Sequence, residues 1–150
     1  LVPEHGLAMA VMTNADRGNL ITDEVRRWVL KELLGLDAPR AEPIEAEEME
    51  LTQYAGRYRG YYTDLDLGML GGKLVGQVAY KRGFPNESVP PPPAPPPMSV
   101  ALCAKDRLLV LDGPAKDGVG DAIRTADGSI GWLRFSGRLH RREKEESGSP

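Results

Sequence analysis

Residues 57–80 read RYRGYYTDLDLGMLGGKLVGQVAY and contain the pattern that decides the fold. Tyr58, Gly60 and Tyr62 alternate with charged and polar neighbours, as a half-buried strand requires. The pair Gly71-Gly72 suits a two-residue hairpin turn, and the alternation resumes beyond it from Leu74 to Tyr80. This segment therefore predicts a meander of three antiparallel strands.

The rest of the C-terminal part continues the same pattern in shorter units. Strands are predicted at residues 100–104, 107–111, 121–125, 130–135 and 138–141, with turns at Asp112-Gly113, Asp117-Gly118 and Asp127-Gly128. About eight strands allow a sheet to close on itself and remove its edges. We therefore predict a mainly β fold, a small antiparallel barrel over residues 51–143, followed by a disordered tail at 144–150.

A proline-rich segment, PPPPAPPP at residues 90–97, interrupts the strands. Proline cannot donate the hydrogen bonds of a strand ladder, so the segment is predicted to be an extended loop. It can serve as a spacer between two hairpins, the commoner use, or as a ligand of a proline-binding module.

The N-terminal part has a different pattern. An apolar run from Leu7 to Met12 predicts a buried strand, and helical spacing of Ile21, Val25 and Trp28 predicts an amphipathic helix capped by Asn19 or Thr22. Gly35 is the predicted helix end. We expect residues 1–37 to be the last strand and helix of an α/β domain whose other strands lie upstream. Residues 38–50 are the predicted linker, with the acidic stretch 45–50 a solvated connector or a short helix.

Composition excludes several classes of function. The net charge of −3 argues against a nucleic-acid partner, although Arg134, Arg138, Arg141 and Arg142 lie close to Trp132 and Phe135. One cysteine, Cys103, rules out an internal disulfide and a cysteine cluster for zinc. No segment is long and apolar enough to span a membrane. The cellular compartment stays undecided.

The sequence offers no catalytic set, no metal site and no cofactor motif. Gly-x-Ser-x-Gly and Ser-x-x-Lys are both missing, and His5 and His140 stand at opposite ends of the chain, each expected to be exposed or lightly packed. Asp64 and Asp66 share one face of a strand. They are a possible carboxylate pair, but two solvent-facing acids are the simpler interpretation.

Four aromatic side chains are candidate ligand contacts inside the barrel: Tyr58, Tyr62, Tyr80 and Trp132. They can fill the barrel or line a small pocket. The glycines at 56, 60 and 76 leave room inside the strands for a small apolar or peptide-like ligand, or mark bends.

Two segments in this order resemble a known family. Val2-Pro3-Glu4-His5-Gly6-Leu7-Ala8-Met9-Ala10-Val11-Met12-Thr13-Asn14-Ala15-Asp16-Arg17-Gly18, with the helix to Leu36, resembles the closing strand and C-terminal helix of serine β-lactamase-like, penicillin-binding-protein-type hydrolases. The segments Tyr54-Ala55-Gly56-Arg57-Tyr58 and Phe135-Ser136-Gly137-Arg138-Leu139 resemble the lipocalin-like barrel that many esterases and peptidases of that family carry after the hydrolase domain.

The resemblance implies a non-catalytic C-terminal accessory domain. The three catalytic motifs of the family, Ser-x-x-Lys, Tyr-x-Asn and Lys-Thr-Gly or His-x-Gly, have no match here, since His5-Gly6-Leu7 lies in the turn before the following strand. The implied partner is the hydrolase domain of the same protein. Because the apolar run and the Trp28 face need covering, a homo-oligomer, such as a swapped dimer, is also expected. The alternative function is a small-ligand-binding lipocalin-like barrel.

Overall fold

The computed structural model describes residues 1–14, 18–83, 86 and 88–144. The chain divides into two compact units, Leu1–Arg40 and Ala41–Pro150, which we describe separately.

The first unit consists of a 3₁₀ turn at Pro3–His5 and helix α1 at Gly18–Leu34. The helix ends as predicted at Gly35, whose φ of +64° is left-handed and whose N–H donates to the carbonyl of Lys31. The N–H of Leu36 donates to the carbonyl of Leu30, which completes a glycine-type helix end. Residues 15–17 and the side chain of Asn19 lie outside the described residues, and Thr22 lies inside the helix rather than at its cap.

The strand predicted over Leu7 to Met12 is not formed. Residues 8–13 have no regular secondary structure, and Leu7 makes only an isolated bridge with Val2. A strand needs a neighbour to pair its backbone N–H and C=O groups, and the described residues of this unit supply no other extended segment.

Helix α1 presents large apolar side chains to solvent. Ile21, Trp28 and Leu33 are 58%, 61% and 62% exposed. An amphipathic helix gains most of its stability from packing of its apolar face. This face is therefore open to a covering surface.

The second unit is an eight-stranded antiparallel barrel. It begins with the short helix α2 (Glu48–Thr52), and its strands are β1 (Gly56–Arg59), β2 (Thr63–Leu70), β3 (Lys73–Tyr80), β4 (Met98–Ala104), β5 (Arg107–Val110), β6 (Val119–Arg124), β7 (Ile130–Phe135) and β8 (Arg138–Arg142). Each strand pairs with the next, and β8 pairs with β1, which closes the barrel. The predicted fold class is confirmed.

The turns follow the glycine signals of the sequence. Gly71 and Gly72 join β2 to β3 with φ values of +57° and +75°, the pair of left-handed conformations that a type I′ hairpin needs. In the turn at Asp117-Gly118 the aspartate, and not the glycine, has the positive φ, +66°. Asparagine and aspartate are the side chains that tolerate this conformation best.

Apolar side chains on the interior face fill the barrel. Leu74 and Leu102 are completely buried, and Leu51 from α2 joins them. The other buried members of this cluster are Tyr54, Tyr58, Leu65, Val100, Leu108, Ala122, Ile130 and Leu133. The barrel therefore has a packed core.

The segment before the barrel is attached to it. The N–H of Ile44 donates to the carbonyl of Leu102 at 2.8 Å. Helix α2 includes the second half of the acidic stretch at 45–50. Of the two alternatives for that stretch, the short helix is the one formed. The tail at residues 145–150 lies outside the described residues.

The proline-rich segment connects β3 to β4, the position expected for a spacer. Strand β3 pairs with β4 only from Leu74 to Gly76, so its second half extends beyond its neighbour. There the side-chain amide of Gln77 donates to the carbonyls of Val78 at 3.0 Å and Pro95 at 2.8 Å. Gln77 thus holds the proline segment beside the part of β3 that pairs with β2 but not with β4.

Candidate functional site: two polar ends of the barrel

Polar side chains gather at the two ends of the barrel. We call one the α2 end (Gln53, Tyr54, Asp106, Arg124 and Arg142) and the other the His140 end (Gly60, Tyr62, Thr63, Tyr80, Arg138 and His140). The strands run antiparallel, so these sets come from turns and strand termini far apart in the chain.

At the α2 end, Asp106 is the centre of a hydrogen-bond network. Its carboxylate accepts from the hydroxyl of Tyr54 at 3.0 Å and from Nε of Arg124 at 2.9 Å. Arg124 also donates to Oε1 of Gln53 at 2.7 Å. The bonds from Arg124 hold the pKa of Asp106 below its usual range, whereas burial raises the pKa of Tyr54. The network joins the segment before β1 to the β4–β5 turn and to the end of β6.

Arg142 completes this end from inside. It donates to the backbone carbonyls of Gln53 at 3.1 Å and of Ala55, and its guanidinium lies 5.8 Å from the centre of the Tyr58 ring. Tyr58 is completely buried, and its hydroxyl donates to the carbonyl of Tyr54 at 2.8 Å. The side chains of Arg142 and Tyr58 thus donate to backbone carbonyls of the same end, and these hydrogen bonds stabilise the barrel.

The His140 end contains a buried imidazole. His140 is 2% exposed, and its Nε2 lies 2.9 Å from Oγ1 of Thr63. Contact between β8 and β2 is possible because Gly60, at the end of β1, has no side chain: a Cβ there would lie 2.5 Å from Cδ2 of His140. Nδ1 of His140 makes no hydrogen bond of normal geometry among the described residues. Burial lowers the pKa of His140, whereas weak hydrogen bonds with the backbone of Leu133 and Arg138 and the charge of Asp64 act in the opposite direction.

The expectation that His140 is exposed or lightly packed is therefore wrong. Its neighbours Leu139 and Arg141 are exposed, and the sequence shows only that residue 140 alternates with them. This alternation was the one signal in the sequence that residue 140 points inward. It does not show that the imidazole is buried, because the contact with Thr63 joins residues 77 positions apart. His5 lies in the N-terminal 3₁₀ turn and is exposed.

Two tyrosines and two arginines are in contact beside the His140 end. The rings of Tyr61 and Tyr62 are in edge-to-face contact at 4.8 Å. The guanidinium of Arg82 lies 4.3 Å from the centre of the Tyr61 ring, and that of Arg138 lies 5.0 Å from the centre of the Tyr62 ring. Cation–π contacts of this kind hold an arginine in place over the ring.

The four predicted ligand contacts do not form one cluster. Tyr58 pairs with Arg142 and shares its interior face, whereas Trp132 pairs with Arg141, the next residue of β8, and therefore faces outward. Tyr62 and Tyr80 are 38% and 41% exposed at the His140 end. Their role as ligand contacts stays a prediction.

Asp64 and Asp66 are ion-paired on the outer face of β2. Asp64 lies 3.3 Å from Nζ of Lys81 and 3.7 Å from Arg59, and Asp66 lies 2.9 Å from Arg59. Each carboxylate thus has a cationic partner, as expected for solvent-facing acids. In the described part of the chain, no three His, Cys, Asp or Glu side chains group as a metal would require.

Cys103 lies on β4, half-buried, with its thiol 3.6 Å from the carbonyl of Arg107. None of the described helices has the length and hydropathy needed to cross a membrane.

No protein-family model and no curated protein matches the chain. Among solved structures, the chain is similar to a crystal structure of SurE, with 15% identity, a TM-score of 0.47 and coverage of 81% of this chain and 26% of the other. A crystal structure of SurE with D-Leu gives 16% identity, a TM-score of 0.49 and coverage of 84% and 28%. The chain thus spans about a quarter of the length of these structures, and similarity at this level assigns no activity.

Proposed function

We propose that the chain is the non-catalytic C-terminal accessory region of a serine β-lactamase-like hydrolase. In this proposal the barrel shapes or covers the mouth of the active site, helps to select the substrate, or mediates oligomerisation. The resemblance of residues 2–36 and 54–139 to that family, in that order, supplies the identity of the parent.

The observation that carries the proposal is the uncovered face of helix α1. Trp28 is 61% exposed, and Ile21 and Leu33 are similarly exposed. Covering the exposed part of these three side chains would remove apolar surface from water and so stabilise a covered arrangement. A sheet of the hydrolase domain is the surface that the C-terminal helix of this family packs against.

The barrel has the properties of a rigid module. Its interior is packed with apolar side chains, and the α2 end is held by the hydrogen bonds of Asp106, Arg124 and Arg142. A rigid barrel presents its turns in a fixed arrangement, which suits a domain that positions or covers a neighbouring site.

A second copy of the chain is the alternative cover for α1. In that arrangement two helices bury their Trp28 faces against each other, and the protein is a homodimer. Such a dimer would protect Trp28 without a hydrolase domain.

The test uses the two tryptophans of the chain, Trp28 and Trp132. A Trp132→Phe variant leaves Trp28 as the only indole, so its quenching by acrylamide reports exposure of the α1 face. This variant is made in the 150-residue chain and in the product of the complete reading frame, and the mass of each is measured by light scattering. Labelling by a fluorescent penicillin reports a reactive serine of the parent family.

We expect Trp28 to be quenched in a monomeric 150-residue chain, protected in the complete product, and only the complete product to be labelled. Protection of Trp28 in a dimeric 150-residue chain would instead support the second copy as the cover. Equal quenching of Trp28 in both proteins, without labelling of either, would contradict the proposal.

A further inference from the structure

The outer face of strands β6, β7 and β8 carries a contiguous group of apolar side chains. Ile123 and Trp132 are direct cross-strand partners, and Leu139 is the diagonal neighbour of Trp132, since Trp132 pairs with Arg141. Each of the three adjoins a buried residue of its own strand and therefore points outward. Their side chains are between 36% and 53% exposed. Single exposed apolar side chains are common, but a contiguous group on a surface is typical of an interaction site.

Two arginine side chains border this group. The guanidinium of Arg141 lies 5.7 Å from the centre of the Trp132 ring, and Arg134 is the cross-strand partner of Leu139. Tryptophan and arginine are enriched among the residues that dominate the binding energy of protein interfaces. We call the group with its arginines the Trp132 face: Ile123, Trp132, Arg134, Leu139 and Arg141.

The Trp132 face is positively charged, although the whole chain has a net charge of −3. Asp121, the cross-strand partner of Arg134, is shared by two cations, Arg134 at 2.8 Å and Arg107 at 3.9 Å. Arg141 has no carboxylate at ion-pair distance among the described residues. Its partner on β1 is another cation, Arg59, which has carboxylates of its own. The charge of Arg141 is therefore available to an acidic partner.

We propose that the Trp132 face docks a protein segment in which an apolar side chain lies beside an aspartate or glutamate. The apolar side chain packs against Trp132 and Leu139, which removes their exposed surface from water. The carboxylate pairs with the guanidinium of Arg141, whose planar fork of donors matches its two oxygens.

Charge disfavours two other occupants of this face. In a two-fold contact with a second copy, Arg134 and Arg141 would lie close to the same arginines of that copy, and like charges repel. A nucleic acid would be repelled by the net negative charge of the chain.

This inference goes beyond the accessory role and is tested on the 150-residue chain alone, so either can fail while the other stands. The probe is a library of short random peptides displayed on phage. It is selected on the unmodified chain and counter-selected on Trp132→Ser, so only peptides that need the indole are enriched. The dominant peptide is synthesised as selected and with each Asp and Glu replaced by its amide. Fluorescence anisotropy measures the affinity of both forms.

Variants on and off the face locate the binding. Arg141→Gln removes the cation that lacks an ion-pair partner among the described residues. Two matched controls lie on the outer faces of β2 and β3: Leu70→Ser removes an exposed apolar side chain and Lys73→Gln an exposed cation. Circular dichroism establishes that each variant is folded, and Leu139→Ser replaces Trp132→Ser in the counter-selection if the latter does not fold.

We expect the enriched peptides to combine apolar residues with Asp or Glu. Arg141→Gln should weaken binding of the dominant peptide by about tenfold, and the amide form should lose a similar factor, because each change removes the same charge-assisted pair. The two controls should bind the peptide like the unmodified chain. Recovery of no peptide that needs the face, enriched peptides without acidic residues, or equal weakening by Lys73→Gln and Arg141→Gln would overturn the proposal.

The same proteins test the other two occupants. Light scattering that shows a dimer of the unmodified chain and a monomer of Trp132→Ser would make the second copy the occupant and overturn the proposal. Oligothymidine that binds more tightly than the dominant peptide would overturn it in favour of a nucleic acid.

Discussion

The imidazole of His140 on β8 lies 2.9 Å from the hydroxyl of Thr63 on β2, although β1 lies between the two strands. The contact depends on the missing side chain of Gly60, which leaves the space that the imidazole occupies. The missing side chain of one glycine therefore allows β8 and β2 to make contact across β1 at this end of the barrel.

Replacing Gly60 with alanine should destabilise the barrel. Its Cβ would lie 2.5 Å from His140 and 2.6 Å from the backbone oxygen of Thr63, so either the imidazole or the backbone must move. Overpacking of this kind typically costs about 1–3 kcal/mol in the free energy of unfolding, which urea denaturation measures. Gly68→Ala is the control, because a Cβ at Gly68 meets nothing within 4 Å. Equal stability of the two variants would show that the close approach at Gly60 is relaxed in solution.

The unfolding free energy should fall between pH 7.5 and 5.5 because of His140. Burial lowers the pKa of His140 in the folded chain, so the unfolded chain binds the proton first as the pH drops through 6.5. The contribution of the neutral imidazole to the unfolding free energy is complete above 6.5, the pKa in the unfolded chain, and is lost as the pH falls below it. Urea denaturation at the two pH values measures the effect. We expect His140→Gln to reduce the difference in unfolding free energy between the two pH values and His5→Gln to preserve that difference. The same pH dependence in both histidine variants would assign it to other groups.

Asp106 should make the barrel less stable in acid. Its pKa is lowered in the folded chain by the bonds from Arg124, so its contribution is present above the unfolded pKa of about 3.8 and is lost as the pH falls through the lower folded pKa. Asp106→Asn should therefore reduce the difference in unfolding free energy between pH 6 and pH 2.5. Asp117→Asn is the matched control, since both aspartates occupy turns with positive φ, +58° and +66°. An identical reduction in the control variant would argue against the Arg124 pair as the cause.

Gln77→Glu should release the proline-rich segment. The variant replaces an amide that donates to the carbonyls of Val78 and Pro95 with a carboxylate that repels both. The barrel should remain folded by circular dichroism, while cleavage at residues 90–97 by a prolyl endopeptidase becomes faster. Cleavage at the rate of the unmodified chain would mean that contacts other than Gln77 hold the segment.

Local features of the fold followed from local chemistry. Alternation gave the strands, Gly71-Gly72 gave the hairpin turn and Gly35 gave the end of α1, because each depends on neighbouring residues only. The strand expected at Leu7 to Met12 failed for the same reason: its apolar pattern is local, but a strand forms only with a partner.

The candidate sites were harder to predict because their contacts join distant residues. Tyr54 and Asp106 are 52 positions apart, and Thr63 and His140 are 77 apart. Only closure of the barrel brings them together. The sequence pattern predicted that both Tyr58 and Trp132 point into the barrel, but the strand register places them on opposite faces. The register depends on the exact pairing of β1, β7 and β8, which the local pattern does not contain.

The measurement that tests the central claim most directly is the sequence of the reading frame upstream of the codon for Leu1. The accessory role predicts a hydrolase domain there, with Ser-x-x-Lys, then Tyr-x-Asn, then Lys-Thr-Gly or His-x-Gly shortly before Leu1. A start codon just upstream, or an unrelated domain without these motifs, would contradict the accessory role and leave binding of a small ligand by the barrel as the leading function.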